Sequence, residues 1–326
     1  MSTPTLYIAI PCYNEEDALP ITTKQLLEVL NHLIGEKLIS KQSRILYIDD
    51  GSYDRTWNII KTLSSSHSSI LGLKLSKNAG HQKALLAGLM YSKEYSDCVI
   101  SMDADLQDDI WAIREFITKY QDGYEVVYGV RENRDKDSWF KRWSAEGFYK
   151  LMNKLGVPVV FNHADYRLMS KRVLDQLAHY KETNLFLRGI VPLIGFRSTV
   201  VSYTRNERIA GESKYPLKKM LSFAWDGITS FSVRPIRLVT MLGFISLAIS
   251  IVVGLYALFS KIFYDTVWGW TSIMISIWFI GSIQLLALGV IGEYVGKIYK
   301  EVKRRPAYII EEVASMQKEE LYMEVR

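Results

Sequence analysis

The sequence predicts an α/β domain built on a mainly parallel sheet, followed by two C-terminal membrane helices. Three observations carry that reading. Short apolar runs bounded by polar loops alternate with helical spacing over residues 1–130. The hydrophobic fraction, 48%, is high for a water-soluble chain and unevenly spread. Two runs contain no charged residue, Leu238–Ser260 with 23 residues and Thr266–Gly292 with 27. Each exceeds the roughly 20 apolar residues that cross a bilayer core.

The elements follow in order. Leu6–Pro11 is a first strand and 17–36 a helix. Arg44–Asp49 is a second strand, followed by a helix over 54–65 with Asp54 as its N-cap. Ile70–Leu75 is a third strand. The helix over 83–95 packs through Ala84, Leu85, Ala87, Gly88 and Tyr91. Strands at 99–102 and 125–129 flank a helix at 110–122. Residues 138–156 set Trp139, Phe140, Trp143 and Phe148 against Lys141, Arg142 and Lys150, the pattern of an amphipathic helix at a membrane interface. Residues 217–233, with Phe223, Trp225 and Phe231, repeat it. The expected division is a catalytic domain at 1–212, a juxtamembrane amphipathic helix at 213–236, two transmembrane helices within 237–295 (about 238–260 and 269–292), and a cytoplasmic tail at 296–326. Within that tail, Pro306–Ile310 has the composition of an edge strand, one that a neighbouring subunit could receive.

Flanking charge sets the orientation. Lys214, Lys218, Lys219, Arg234 and Arg237 precede the first run; Lys297, Lys300, Lys303, Arg304 and Arg305 follow the second. The loop between holds only Lys261 and Asp265. The expectation is a multi-pass protein of the inner (plasma) membrane with its catalytic domain and both termini cytoplasmic, and no signal-peptide pattern at the N-terminus. The net charge of +5 is largely juxtamembrane, which points to anionic lipid rather than nucleic acid. The two cysteines, Cys12 and Cys98, fall in strand segments without ligand spacing, so neither a disulfide nor a cysteine metal site is expected.

The chemistry gathers at strand ends. Asp103-Ala104-Asp105-Leu106-Gln107-Asp108 follows the apolar strand Cys98–Met102. An Asp-x-Asp pair in extended chain can aim two hard oxygen ligands at one divalent cation, which usually completes its shell with water and substrate phosphates. Pro11-Cys12-Tyr13-Asn14-Glu15 ends the first strand and Asp49-Asp50-Gly51-Ser52 the second. Side by side, such ends form the crevice where open α/β sheets bind nucleosides. Alone, the acidic run reads better as a solvated loop after a strand, and each of the other two motifs reads equally well as a strand-to-helix loop with a capping Asp. No G-x-G-x-x-G follows the first strand, which excludes the nucleotide-dehydrogenase pattern.

Together these motifs resemble glycosyltransferase family 2, the inverting GT-A enzymes, and within it the polyprenyl-phosphate glycosyltransferases. The resemblance also takes in Leu75-Ser76-Lys77-Asn78-Ala79-Gly80-His81, Gly129-Val130-Arg131, Asp165-Tyr166-Arg167-Leu168-Met169, Gly211-Glu212-Ser213-Lys214-Tyr215 and Gly292-Glu293-Tyr294-Val295-Gly296. It covers nearly the whole chain. It implies a Rossmann-like GT-A catalytic domain and a metal-dependent, inverting hexosyltransferase. Pro11, Tyr13, Glu15 and Asp50 match positions that hold base and ribose. Asp103, Ala104 and Asp105 match the nucleotide–metal site, with Gln107 close by and Mg²⁺ or Mn²⁺ as the ion. Arg131, Arg208 and Lys214 match cations near the diphosphate and the acceptor phosphate. Asp165 matches a position for a base or for acceptor positioning. His81 and His163 adjoin motifs and read as structural.

The implied reaction moves a sugar from a nucleotide sugar, UDP-glucose foremost and UDP-N-acetylglucosamine next, to a polyprenyl phosphate such as undecaprenyl phosphate. The product would be a β-linked lipid-phosphate sugar for cell-envelope glycans. Homo-oligomerisation, a separate flippase and a downstream glycosyltransferase are the implied partners. A processive synthase is disfavoured, because Trp139-Phe140-Lys141-Arg142-Trp143 lacks the Gln of a Gln-x-x-Arg-Trp motif. A non-catalytic membrane scaffold is the remaining rival.

Overall fold

The computed structural model describes residues 3–131, 163–182, 187–204, 234–263 and 269–316. The amphipathic segments expected at 138–156 and 217–233 lie outside the described residues, as do Arg208 and Lys214.

Eight strands form one sheet. In chain order they are β1 (Leu6–Cys12), β2 (Arg44–Asp49), β3 (Ile70–Leu75), β4 (Cys98–Ser101), β5 (Val126–Arg131), β6 (His163–Ser170), β7 (Ser198–Tyr203) and β8 (Ile310–Ala314). Helices α1 (Leu19–Gly35), α2 (Thr56–Ser66), α3 (His81–Ser92) and α4 (Ala112–Gln121) connect the first five; short α5 (Lys171–Leu177) and α6 (Leu187–Leu193) follow β6. The spatial order is β7-β5-β6-β4-β1-β2-β3-β8.

The centre is parallel, as expected: β4, β1, β2 and β3 run the same way, and β5 runs parallel to β7. Two strands run against the rest, one inside the sheet and one at its edge. β6 is antiparallel to both β4 and β5, and β8 is antiparallel to β3. The sheet is therefore mixed. The central strands read as continuous apolar runs because both faces are covered by helices: β1 is buried at every position. Pro11 is tolerated there because β1 pairs with β4 only as far as Ala9.

Close packing fixes the layers. A Cβ added at Gly88 on α3 would lie 2.5 Å from Ile48 Cδ1 on β2, so glycine lets that helix press onto the sheet. α1 begins with a proline in its first turn and buries Leu19, Leu26, Leu30 and Leu33. The capping expected at Asp54 is present one residue out of register. Its Oδ1 accepts the N–H of Thr56 at 2.9 Å, while Arg55 holds the formal cap position.

Two compact units divide the chain, one carrying the sheet and including the stretch after 305, the other carrying two long helices. The long helices are α7 (Arg234–Phe263) and α8 (Trp270–Val302). α8 outruns its charge-free stretch, which ends at Gly292, by ten residues that include Glu293, Lys297 and Lys300. Two apolar spans were expected. Among the described residues one segment, Phe279–Val302, is long and apolar enough to cross a membrane. Leu285, Leu286 and Leu288 on it are each more than three-fifths exposed, an apolar surface that water does not favour.

Candidate active site

The sheet reverses its winding at β1: β2 and β3 lie to one side and β4 to the other. The crevice outside the carboxyl ends of β1 and β4 is where such sheets take ligands. The antiparallel β6 brings its beginning to the same edge. Because Ser101 stands opposite Arg167, Asp165 lies just beyond the end of β4, beside Asp103.

On the β1–β2 side, three loops interlock. Asp50 is 4% exposed and its carboxylate accepts the N–H groups of Ala79 at 2.7 Å and Gly80 at 2.9 Å. Burial pushes its pKa up and those two bonds oppose the rise. Gly51 has φ +67°, and a Cβ there would meet Asn78 N at 2.6 Å, so only glycine admits this approach. Ser52 Oγ accepts Asn14 N–H and Asn14 Oδ1 accepts Tyr53 N–H, both at 3.0 Å, which ties the end of β1 to the β2 loop. Tyr13 stands 42% exposed against the edge of Tyr53. Glu15 is half-buried, its backbone N–H held by Thr56 Oγ1 at 2.9 Å, and Pro11 is buried in β1. The four residues expected at a base and ribose thus share one edge. The Asp50 carboxylate is largely spent on the β3–α3 loop.

In the acidic loop after β4, alternate side chains turn outward. Asp103, Asp105 and Gln107 are partly exposed, whereas Ala104, Leu106 and Asp108 are buried. Leu106 holds a left-handed φ of 54°, an uncommon and costly conformation for leucine. Asp105 Oδ1 accepts Gln107 N–H at 3.2 Å, which tightens the turn. Desolvation pushes the Asp103 carboxyl up to about 6; His81 opposes the rise, and Asp165, Asp108 and Asp105 add to it. Among the described residues, no three acidic, histidine or cysteine side chains converge as a ready cation cage. The donor set still fits a hard divalent ion: two carboxylates and an amide oxygen, partly exposed, with excess negative charge around Asp103. Such ions take one or two carboxylates and complete their shells from substrate phosphate and water.

Asp165, 8% exposed in its side chain, is the hub of a second cluster. Arg188 binds it through two bonds, Nε to Oδ1 at 3.0 Å and Nη2 to Oδ2 at 2.9 Å. Arg167 Nη2 donates to Oδ1 at 2.6 Å. His81 Nε2 lies 3.6 Å from Asp165 Oδ2 and 3.8 Å from Asp103 Oδ1, bridging the two clusters. Burial would raise the Asp165 pKa, but His81 and the two guanidinium groups hold it well below the usual carboxylate range. Desolvation works against protonated His81, and the Asp165 and Asp103 carboxylates outweigh it, so its pKa is raised.

Arg131, at the end of β5, donates from Nη2 to Asp108 Oδ1 at 2.9 Å and from Nε to Tyr203 Oη at 3.3 Å. The structure therefore gathers Pro11, Tyr13, Glu15, Asp50, Asp103, Ala104, Asp105, Gln107, Arg131 and Asp165 along one edge of the sheet. Four neighbours of these residues were not among the expected site residues. Arg188 and Tyr203 sit in no motif, Asp108 lay in the acidic run without a partner, and His81 read as structural. Only the motif position next to Gly80 could have marked His81.

Comparison with known proteins adds a family match and three relatives. The sequence profile described as Glycosyl transferase family 2 matches residues 7–178. An uncharacterised glycosyltransferase of Bacillus subtilis, YkoT, is 58% identical over 310 residues, covering 95% of this chain and 92% of the relative. A prophage bactoprenol glucosyl transferase homolog of Escherichia coli is 39% identical, covering 94% of this chain and 98% of the relative. The bactoprenol glucosyl transferase of Shigella phage SfII is 40% identical, covering 93% and 96%.

Proposed function

The chain belongs to glycosyl transferase family 2 and is a glycosyltransferase, and from that premise we propose that it transfers glucose from UDP-glucose to undecaprenyl phosphate. The observation that carries the specific reading is the reach of the likeness to bactoprenol glucosyl transferases. It extends over more than nine-tenths of both chains, well past the catalytic profile and through the long apolar helices.

In this reading Pro11, Tyr13, Glu15 and Asp50 receive the base and ribose. Asp103, Asp105 and Gln107 hold Mg²⁺ or Mn²⁺, and Ala104 lies between the two carboxylates against the nucleotide. A bound divalent ion supplies positive charge where the departing diphosphate becomes more negative. Arg131 adds a guanidinium to the same charge, with Arg208 and Lys214 as further cations for the two phosphate groups. The acceptor phosphate is largely dianionic near neutral pH, its second pKa being roughly 6. Its oxygen attacks C1 of the sugar, the C1–O bond to the diphosphate breaks in line, and UDP departs with that electron pair. The anomeric centre inverts and a β-linked lipid-phosphate sugar results. No proton has to be removed. Asp165, ion-paired and strongly acidic, therefore orients Arg188 and His81 instead of acting as a base.

The reading places both long helices in the plasma membrane. Parity supports this: β7, before them, and β8, after them, belong to one sheet. A single crossing would put β8 on the wrong side of the bilayer, so an even number is required. The charge distribution then puts the sheet in the cytoplasm. Homo-oligomers, a flippase and a downstream transferase complete the proposal.

The test is a transfer assay on membranes holding the full chain, with undecaprenyl phosphate and labelled UDP-glucose, UDP-N-acetylglucosamine and GDP-mannose, with and without chelator. Glucose transfer that chelator abolishes, to a product whose anomeric carbon is β by NMR, is expected. Preference for another donor would overturn the choice of sugar. An α-linked product would overturn the mechanism, and no transfer from any donor would favour a scaffold.

A further inference from the structure

Asp108, Arg131 and Tyr203 form a closed triangle. Asp108 Oδ1 accepts Arg131 Nη2 at 2.9 Å and the Tyr203 hydroxyl at 2.5 Å, and that hydroxyl accepts Arg131 Nε at 3.3 Å. Asp108 is 2% exposed, Tyr203 3% and the Arg131 side chain 27%. The three come from three places: the acidic loop, the end of β5 and the end of β7. Arg131 and Tyr203 are partners in register across parallel strands, so their side chains leave the sheet on the same face.

The surroundings hold the triangle rigid. The Tyr203 ring packs edge-on to Tyr166 at 5.3 Å, and the Tyr166 hydroxyl donates to the carbonyl of Asp109 at 2.9 Å. Gly129 makes room, since a Cβ there would lie 2.9 Å from both the Tyr166 carbonyl oxygen and Tyr203 Cε1.

Resting on the reading of Arg131 as a cation for the donor diphosphate, we infer that Asp108 and Tyr203 are positioning residues that aim Arg131 and staple the metal-binding loop to it. A free arginine side chain samples many rotamers, and fixing it on binding costs affinity. Here the Nε–Nη2 edge is held before the donor arrives, and the inference gives the opposite edge of the fork, which has no partner among the described residues, to the phosphate. The same contacts fix Asp108, and with it the register of the loop that carries Asp103 and Asp105. Diphosphate cation and metal ligands are thus set relative to each other in advance.

A double-mutant cycle on the full-length, detergent-solubilised protein tests this. Affinity for UDP, GDP and inorganic pyrophosphate, each with Mg²⁺, is measured by calorimetry for wild type, Tyr203→Phe, Arg131→Ala and the double variant. Tyr203→Phe keeps the ring and removes only the hydroxyl. It should weaken all three ligands about tenfold, the order expected for a hydrogen bond to an ionised group. In the Arg131→Ala background the same change should cost nothing, because its action passes through Arg131. Equal losses in both backgrounds would show a merely structural role and overturn the inference, as would wild-type affinity in Tyr203→Phe. Wild-type affinity in Arg131→Ala would overturn the clamp together with the role of Arg131. A wild type that prefers GDP would overturn the donor choice alone, since the pyrophosphate arm still reads the clamp.

Discussion

Arg167 is the largest fully buried side chain in the described residues, and its charge is answered by one carboxylate. Asp165 Oδ1 takes its Nη2, the Leu187 carbonyl takes Nη1 at 3.3 Å, and Nε finds no partner among the described residues. Removing one member of a buried pair leaves an uncompensated charge, which costs about 3–5 kcal/mol. Asp165→Asn should therefore lower stability by that order, read as a fall in the unfolding midpoint. It should also slow transfer, by loosening Arg188 and His81. The pH dependence separates this role from that of a base. The folded-state pKa of Asp165 is depressed. Its contribution to stability is therefore complete above the ordinary aspartate value near 4 and is lost only as pH falls through the lower folded value. Between pH 5 and 8 the group does not titrate. The rate–pH profile of the wild type should contain no limb that Asp165→Asn abolishes; such a limb would restore the base role.

At the scale of elements, what the sequence disclosed depended on how each strand is buried. β2 and β3 fall at the expected residues because both are mostly buried, apolar segments between polar loops. β6 was not expected as a strand, because Asp165 and Arg167, both buried, interrupt its apolar run; the alternation of Tyr166 and Leu168 was its signal. β7 alternates exposed and buried positions at a sheet edge, and carries polar residues throughout. β8 begins at Ile310, the last residue of the edge strand expected at Pro306–Ile310. It pairs with β3 of its own chain, although Glu311 and Glu312 give it the look of a solvated tail. Those glutamates are what dock it. Glu312 accepts Trp57 Nε1 at 3.1 Å and Lys61 Nζ at 2.9 Å, and Glu311 pairs with Lys74 at 3.1 Å. Long-range charge pairing of this kind has no local periodicity, so pattern reading does not find it. The site was legible in the same uneven way: strand-end motifs stood out, whereas Arg188 and Tyr203 reach it only through tertiary structure. The β8 contact also depends on Gly72 of β3. A Cβ there would lie 2.5 Å from Ile60 Cγ2 and 3.2 Å from Ala314 Cβ. Gly72→Ala should cost about 1–3 kcal/mol through overpacking. Thermal unfolding would register this, and an unchanged midpoint would mean that α2 and β8 can yield.

For the whole molecule, the return of the chain to its own sheet converts a question of hydropathy into one of parity. Residues on both sides of α7 and α8 belong to one sheet, so on the proposed reading those helices cross the bilayer an even number of times. The proposed two crossings fit the lengths, 30 residues in α7 and 33 in α8, against the roughly 20 that span a hydrocarbon core. Cysteine chemistry makes the point measurable without engineering a thiol-free chain. Cys12 and Cys98 are 1% and 0% exposed, and burial raises both thiol pKa values, so neither should react with a maleimide while the protein is folded. A cysteine placed by Asp265→Cys, between α7 and α8 in the sequence, should be labelled by a membrane-impermeant maleimide on intact cells. One placed by Met316→Cys, at an exposed position just past β8, should be labelled only after the membrane is permeabilised. Labelling of both from outside would contradict the cytoplasmic sheet. Labelling of neither until permeabilisation would mean that the helices do not cross, and the polyprenyl phosphate would then have to be reached from the membrane surface alone.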